Sequence, residues 1–127
     1  MSQWTHVAGC IRIDDIGSAM TGISSMGRFV MALGSFAPPE GSEGPLQVRI
    51  VETGSGHSLS WGLAYIWGDL RDYNDVQEIF EWAKAICGQL MVRQCVIAVD
   101  VEGGGSYVIH GGYGNNLTLA ELEGNDE

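Results

Sequence analysis

Trp61, Leu63, Tyr65 and Trp67 stand at every second position of SLSWGLAYIWGD, residues Ser58 to Asp69, with Ser60, Gly62, Ala64 and Ile66 between them. On a strand this alternation puts the large side chains on one face and the small ones on the other. Three aromatic rings at about 150–250 Å² each make a surface on which a planar ligand can stack. Arg12, Arg49 and Arg71 lie on or beside predicted strands, and a guanidinium fork can hold a phosphate in two places at once. His57 falls in the glycine-containing stretch TGSGHS, and His110 and Tyr113 fall in HGGYGNN, where backbone N–H groups can approach an anion closely. Ordinary turn chemistry explains both loops equally well, and the many carboxylates offer the arginines other partners.

Catalytic motifs are missing from the sequence. It contains no GxSxG elbow, P-loop, HExxH or GxGxxG, and GSGHSLSWG has the wrong spacing for a dinucleotide fingerprint. Asp14 and Asp15 are adjacent, so at a strand end they point apart and suit a helix-start cap better than paired acid–base work. The three histidines are scattered among a strand, a turn and a strand end, and no nucleophile has its base in view. The three cysteines, Cys10, Cys87 and Cys95, form no CxxC pair and read as reduced thiols. Neither a metal site nor a cofactor is expected, and the chain reads as a binding protein rather than an enzyme.

Six basic residues oppose sixteen acidic ones, for a net charge of −10. A nucleic-acid backbone is held by clustered Lys and Arg, so long DNA or RNA is an unsuitable partner. A small anion such as a nucleotide remains suitable, because one or two arginines in a site suffice. A basic protein surface also remains suitable, since an acidic protein is steered toward it. No apolar run reaches the ~18–20 residues of a membrane helix, and MSQWTHVAGC lacks the pattern of a signal peptide. The expectation is a soluble, cytoplasmic protein.

These residues need elements to position them. At 127 residues, 45% hydrophobic and 17% charged, the chain suits a single domain over 1–127 with one core. Trp4 to Asp14 alternates as a first strand, with Val7, Gly9, Ile11 and Ile13 on one face and Trp4, His6, Ala8, Cys10 and Arg12 on the other. Ile23, Met26, Val30 and Leu33 predict a helix over about Ala19 to Leu33, weakened by Gly22 and Gly27. Gly34 to Pro45 reads as an irregular loop. Leu46 to Glu52 is a second strand, TGSGHS a turn, and the aromatic stretch a third strand. Asn74 is placed to cap a helix whose apolar face is Val76, Ile79, Phe80, Ala83, Ile86, Cys87 and Leu90. Gln94 to Glu102 is a central strand, Gly103 to Gly105 a turn, and Ser106 to His110 a hairpin strand. The acidic tail, about 117–127, is expected to be flexible, with Leu117, Leu119 and Leu122 able to dock. The order β-α-β-β-α-β with an extra C-terminal hairpin strand predicts an α+β, two-layer, ferredoxin-like (split βαβ) sandwich with a mainly antiparallel sheet.

That architecture leaves two orientations for the aromatic strand. Turned toward the helices, Trp61, Tyr65 and Trp67 become core, though they would crowd a first helix made of Met, Ile, Val and Gly. Turned away, they present roughly 500 Å² of apolar surface, more than a soluble monomer normally leaves exposed, and a second copy or a ligand must cover it.

The opening WTHVAGCIRIDD, Trp4 to Asp15, resembles the start of small uncharacterised proteins encoded by bacteriophages and prophages. The resemblance covers one strand and carries no residue roles. It implies a phage-type origin and an anti-defence role, in the cytoplasm of the host cell. That role takes one of two forms: a homo-oligomeric sponge that sequesters a small nucleotide signal, or an anti-CRISPR-like acidic inhibitor that caps a basic surface on a host defence complex. A phage structural or assembly component is the third reading.

Overall fold

In a computed structural model, the described residues are 3–14, 25–53, 61–113 and 116–122, with the side chains of Ser25, Thr53 and Trp61 excepted. They form β1 (Trp4–Asp14), α1 (Ser25–Ser35), β2 (Glu40–Gly41), β3 (Gly44–Pro45), β4 (Gln47–Thr53), β5 (Trp61–Arg71), α2 (Val76–Cys87), β6 (Val92–Val101), β7 (Gly105–Gly111) and β8 (Leu117–Leu122). Six strands make one antiparallel sheet in the order β4-β5-β1-β6-β7-β8, and β2 pairs with β3 in a separate ribbon. The architecture is α+β.

Alternation in β1 divides the sheet as its side chains require. Val7, Ile11 and Ile13 are buried, as are their same-face neighbours Ala64 and Ile66 of β5 and Cys95, Ile97 and Val99 of β6. One hydrophobic cluster joins them to Phe29 and Ala32 of α1 and to Ile79, Trp82, Ala83, Ile86 and Cys87 of α2, so both helices cover this face. Thr5 also points inward, and its hydroxyl donates to the Tyr73 carbonyl, which offsets the cost of burying it. Gly9 permits the close approach of β1 to β6: a Cβ there would lie 2.5 Å from the Val96 carbonyl oxygen.

The helices differ from expectation in informative ways. The Asp75 side chain, not Asn74, caps α2 by accepting from the Glu78 N–H at 3.0 Å. Glu78 in the first turn and Lys84 in the last suit the helix dipole. The buried stripe includes Trp82, whose ring joins the core while its indole N–H donates to the Phe36 carbonyl at 2.9 Å. α1 runs over Ser25–Ser35, and residues 19–24 of the predicted helix lie outside the described residues. Its inward stripe is Phe29 and Ala32, with the expected Leu33 half-buried against the core, while Met26 and Val30 are exposed. The large Phe29 ring gains most from burial, and Ala32 lets the helix approach the sheet.

One further expectation is corrected, and of the two alternatives for the tail the docked one is met as far as residue 122. Within Gly34 to Pro45 the β2–β3 ribbon is ordered against the end of β5, with the Ser42 N–H donating to the Arg71 carbonyl at 2.9 Å. Residues 117–122 of the expected flexible tail pair with β7 as β8, because Leu117 and Leu119 pack against the core. The hairpin extension thus has two strands rather than one, and residues 123–127 lie outside the described residues.

Candidate functional site

The face opposite the helices carries the aromatic surface. Ala64 and Ile66 of β5 are buried, whereas Tyr65 and Trp67 are 40% and 44% exposed on the other side. The orientation in which these rings form core is therefore overturned: the small face packs where α1 and α2 leave little room. The side chain of Trp61 lies outside the described residues.

Register assembles this open face from residues far apart in sequence, since antiparallel partners project on the same side. One cross-strand row reads Gln47, Trp67, Ala8, Ala98, Val108 and Ala120. The next reads Arg49, Tyr65, Cys10, Val96, His110 and Thr118. Beyond it come Val51, Leu63, Arg12 and Gln94. Tyr65 thus has Arg49 beside it on β4 and Arg12 diagonally across on β1, with His110 further along its own row. Five of the residues singled out from sequence (Arg12, Arg49, Tyr65, Trp67 and His110) share this face.

The opposite end of the same strands is acidic. His6 stands between Asp69 of β5 and Asp100 of β6. Its Nδ1–H donates to Asp69 at 2.6 Å and its Nε2–H to Glu102 at 2.9 Å. Both ring nitrogens are donors only in the imidazolium, so these hydrogen bonds, that to Asp69 foremost, raise the His6 pKa above its ordinary value of 6.5. A shallow depression of about 330 Å³ lies here, floored by Ala8 and Ala98 and edged by His6, Asp69 and Asp100. A second, of about 260 Å³, adjoins Trp4 and Glu102.

The remaining predicted residues fall elsewhere. Arg71 belongs to the acidic end: it is paired with Glu43 of the ribbon at 2.7 Å and sits 6.0 Å from the Trp4 ring centroid. Tyr113 is 78% exposed with φ +57°, beside a cavity of about 350 Å³ lined by Leu90, Met91, Val92, Arg93 and Asp14. Arg93 donates to Asp14 at 3.1 Å across its rim. His57 lies outside the described residues.

Sequence reasoning missed the His6–Asp69–Glu102 arrangement, since its members are 63 and 96 residues from His6. The signal available was positional: His6 is on the outward parity of β1, as Asp69 is on that of β5. Cys10 also sits on the open face, half-buried, and burial raises its thiol pKa. Cys87 and Cys95 are buried on the helix side. Among the described residues no group of three or more His, Cys, Asp or Glu side chains could hold a metal ion, and no helix is long and apolar enough to cross a membrane. Compared with known protein families, with curated proteins and with solved structures, the chain matches none.

Proposed function

We propose that this chain is a non-enzymatic binding protein that takes a planar, anionic ligand of nucleotide type on its open sheet face. The observation that carries the reading is the exposure of Tyr65 and Trp67 on the helix-free side, with Arg49 in register with Tyr65 and Arg12 diagonally across from it. A base stacks on the rings, which contributes about 1–3 kcal/mol per base, and its phosphate meets the Arg49 guanidinium. Among the described residues Arg49 makes no ion pair or side-chain hydrogen bond, so it engages a ligand without first giving up a partner.

The fold class that accompanies this reading is the ferredoxin-like, split βαβ sandwich. Supporting it are the order β4-β5-β1-β6, in which the first strand lies between the third and fourth, and helices that follow the first and third of these four strands. Joined to the phage resemblance of the first strand, the use of such binding is sequestration of a nucleotide signal in the cytoplasm of the infected cell.

Calorimetry and tryptophan fluorescence against a panel of linear and cyclic nucleotides test the reading. Binding at micromolar protein is expected, with Arg49→Ala and Trp67→Leu each weakening it by roughly tenfold or more and Arg71→Ala leaving it unchanged. Neither heat nor quenching with any nucleotide would overturn it.

A second reading, inhibition of a basic protein surface, is favoured by Asp69, Asp100 and Glu102 exposed together at the other end of the face. It predicts salt-sensitive capture of a defence-complex subunit.

A further inference from the structure

We infer that the open sheet face is closed by a second copy of this chain, related by a two-fold axis that runs across the strands between the Ala8–Trp67 and Cys10–Tyr65 rows. The contact stands on its own; only its use as a ligand clamp rests on the nucleotide reading above.

Charge selects this axis. Along β1 the face runs from His6, flanked by Asp69 and Asp100, through Ala8 and Cys10 to Arg12. A two-fold axis parallel to the strands would lay acids on acids. One across the strands reverses the direction, so each Arg12 comes over the Asp69–His6–Asp100 row of the other copy. Face-to-face sheets pack ~10 Å apart with strands nearly aligned, which this operation satisfies.

The apolar middle is self-complementary under the same operation. Ala8 faces Cys10, Ala98 faces Val96, and Trp67 faces Tyr65 of the second copy, so small residues lie over the centre and rings over the β5 side. Exposed apolar groups there include Tyr65, Trp67 and Val96, and a monomer rarely leaves such a patch in water. Six strands at ~4.8 Å spacing and four rows at ~6.8 Å give roughly 24 by 20 Å, or about 1,000 Å² for the two copies together. That is the lower limit for a specific contact, so a dimer of modest strength is expected.

The pairing also completes the ligand site. A flat sheet covers one side of a planar ligand, whereas binding sites bury most of a ligand's surface. With Trp67 and Tyr65 of both copies around the axis, the ligand is held between two sheets, one per pair of chains.

Sedimentation velocity and native mass spectrometry of the full chain, without nucleotide, should give a dimer that dissociates as salt rises. Arg12→Glu and Asp100→Lys should each give monomers, and an equimolar mixture of the two variants should recover a heterodimer, because one of its two charge contacts is swapped and the other is native. Both substitutions are at exposed positions, and circular dichroism checks that each variant is folded. A wild-type monomer at tens of micromolar, or variants that fail to pair on mixing, would overturn the inference. A dimer that yields no heat with nucleotides upholds the contact and removes the ligand reading. A monomer that binds one nucleotide per chain does the reverse.

Discussion

Val96 and Val99 lie three residues apart on β6 and project to opposite faces, so the same substitution at each measures which face is the core. Val99 is 1% exposed and Val96 46%. Val→Ala deletes two carbons, about 1.6 kcal/mol of transfer free energy when the side chain is fully buried. At Val99 the vacated volume, on the order of 50 Å³, adds about 1 kcal/mol at ~24 cal/mol per Å³, for a total of about 2–3 kcal/mol. At Val96 about half of the transfer term applies and the space left opens to solvent, which leaves about 0.5–1 kcal/mol. The gap of about 1.5–2 kcal/mol corresponds to roughly 5–10 °C in Tm for a domain of this size.

Urea unfolding followed by tryptophan fluorescence measures both variants against the wild type. It should be done at submicromolar protein, where a modest dimer comes apart. Raising the concentration should increase the cost of Val96→Ala, by mass action on the paired state, and leave that of Val99→Ala unchanged. Equal costs at low concentration would refute the assignment of faces, and with it every proposal made for the open one.

Two other predictions concern the helices and His6. Removing the Asp75 cap by Asp75→Ala should cost about 0.5–2 kcal/mol by thermal melting, whereas Asn74→Ala should cost less than half as much. Because the folded state raises the His6 pKa, its contribution to stability is complete below the unfolded value of 6.5 and is lost as pH rises through the folded value. Stability measured across this range should therefore fall with rising pH in the wild type, and His6→Gln should flatten that slope.

Much of the sheet was legible because alternation is a local property. Val7, Ile11 and Ile13 could only share a face, and Trp67 could only oppose Ile66. Which face met the helices was not local, since it depended on the room that α1 and α2 leave. The α1 stripe misled for a related reason: Met26 and Val30 satisfy helical spacing as well as Phe29 and Ala32 do, and only the packing geometry chooses between them. Trp82 was passed over beside Ala83, although its ring and its N–H both find places in the core. The row from Arg49 through Tyr65 to His110 required the registers of four strand pairings, which no short window of sequence contains.

The net charge of −10 and a site for anions are compatible because the charges are separated along the strands. Arg71 and Arg93 pair with Glu43 and Asp14 away from the Tyr65 and Trp67 rings. Arg12 and Arg49 stand at one end of the open face, and Asp69, Asp100 and Glu102 stand at the other. His6 and Arg12 are six residues apart on β1, about 20 Å. Oppositely charged ends at that distance, about two and a half Debye lengths at physiological ionic strength, are largely screened from each other, so each sets its own local potential. A ligand whose charge is gathered at one point and whose remainder is a flat ring fits this gradient, with phosphate toward Arg49 and base toward Trp67. A polyanion whose charge continues along the strand direction runs from the guanidiniums onto the carboxylates. Short nucleotides are therefore expected to bind more tightly than oligonucleotides of the same base, the reverse of the order for a surface that tracks a nucleic-acid backbone.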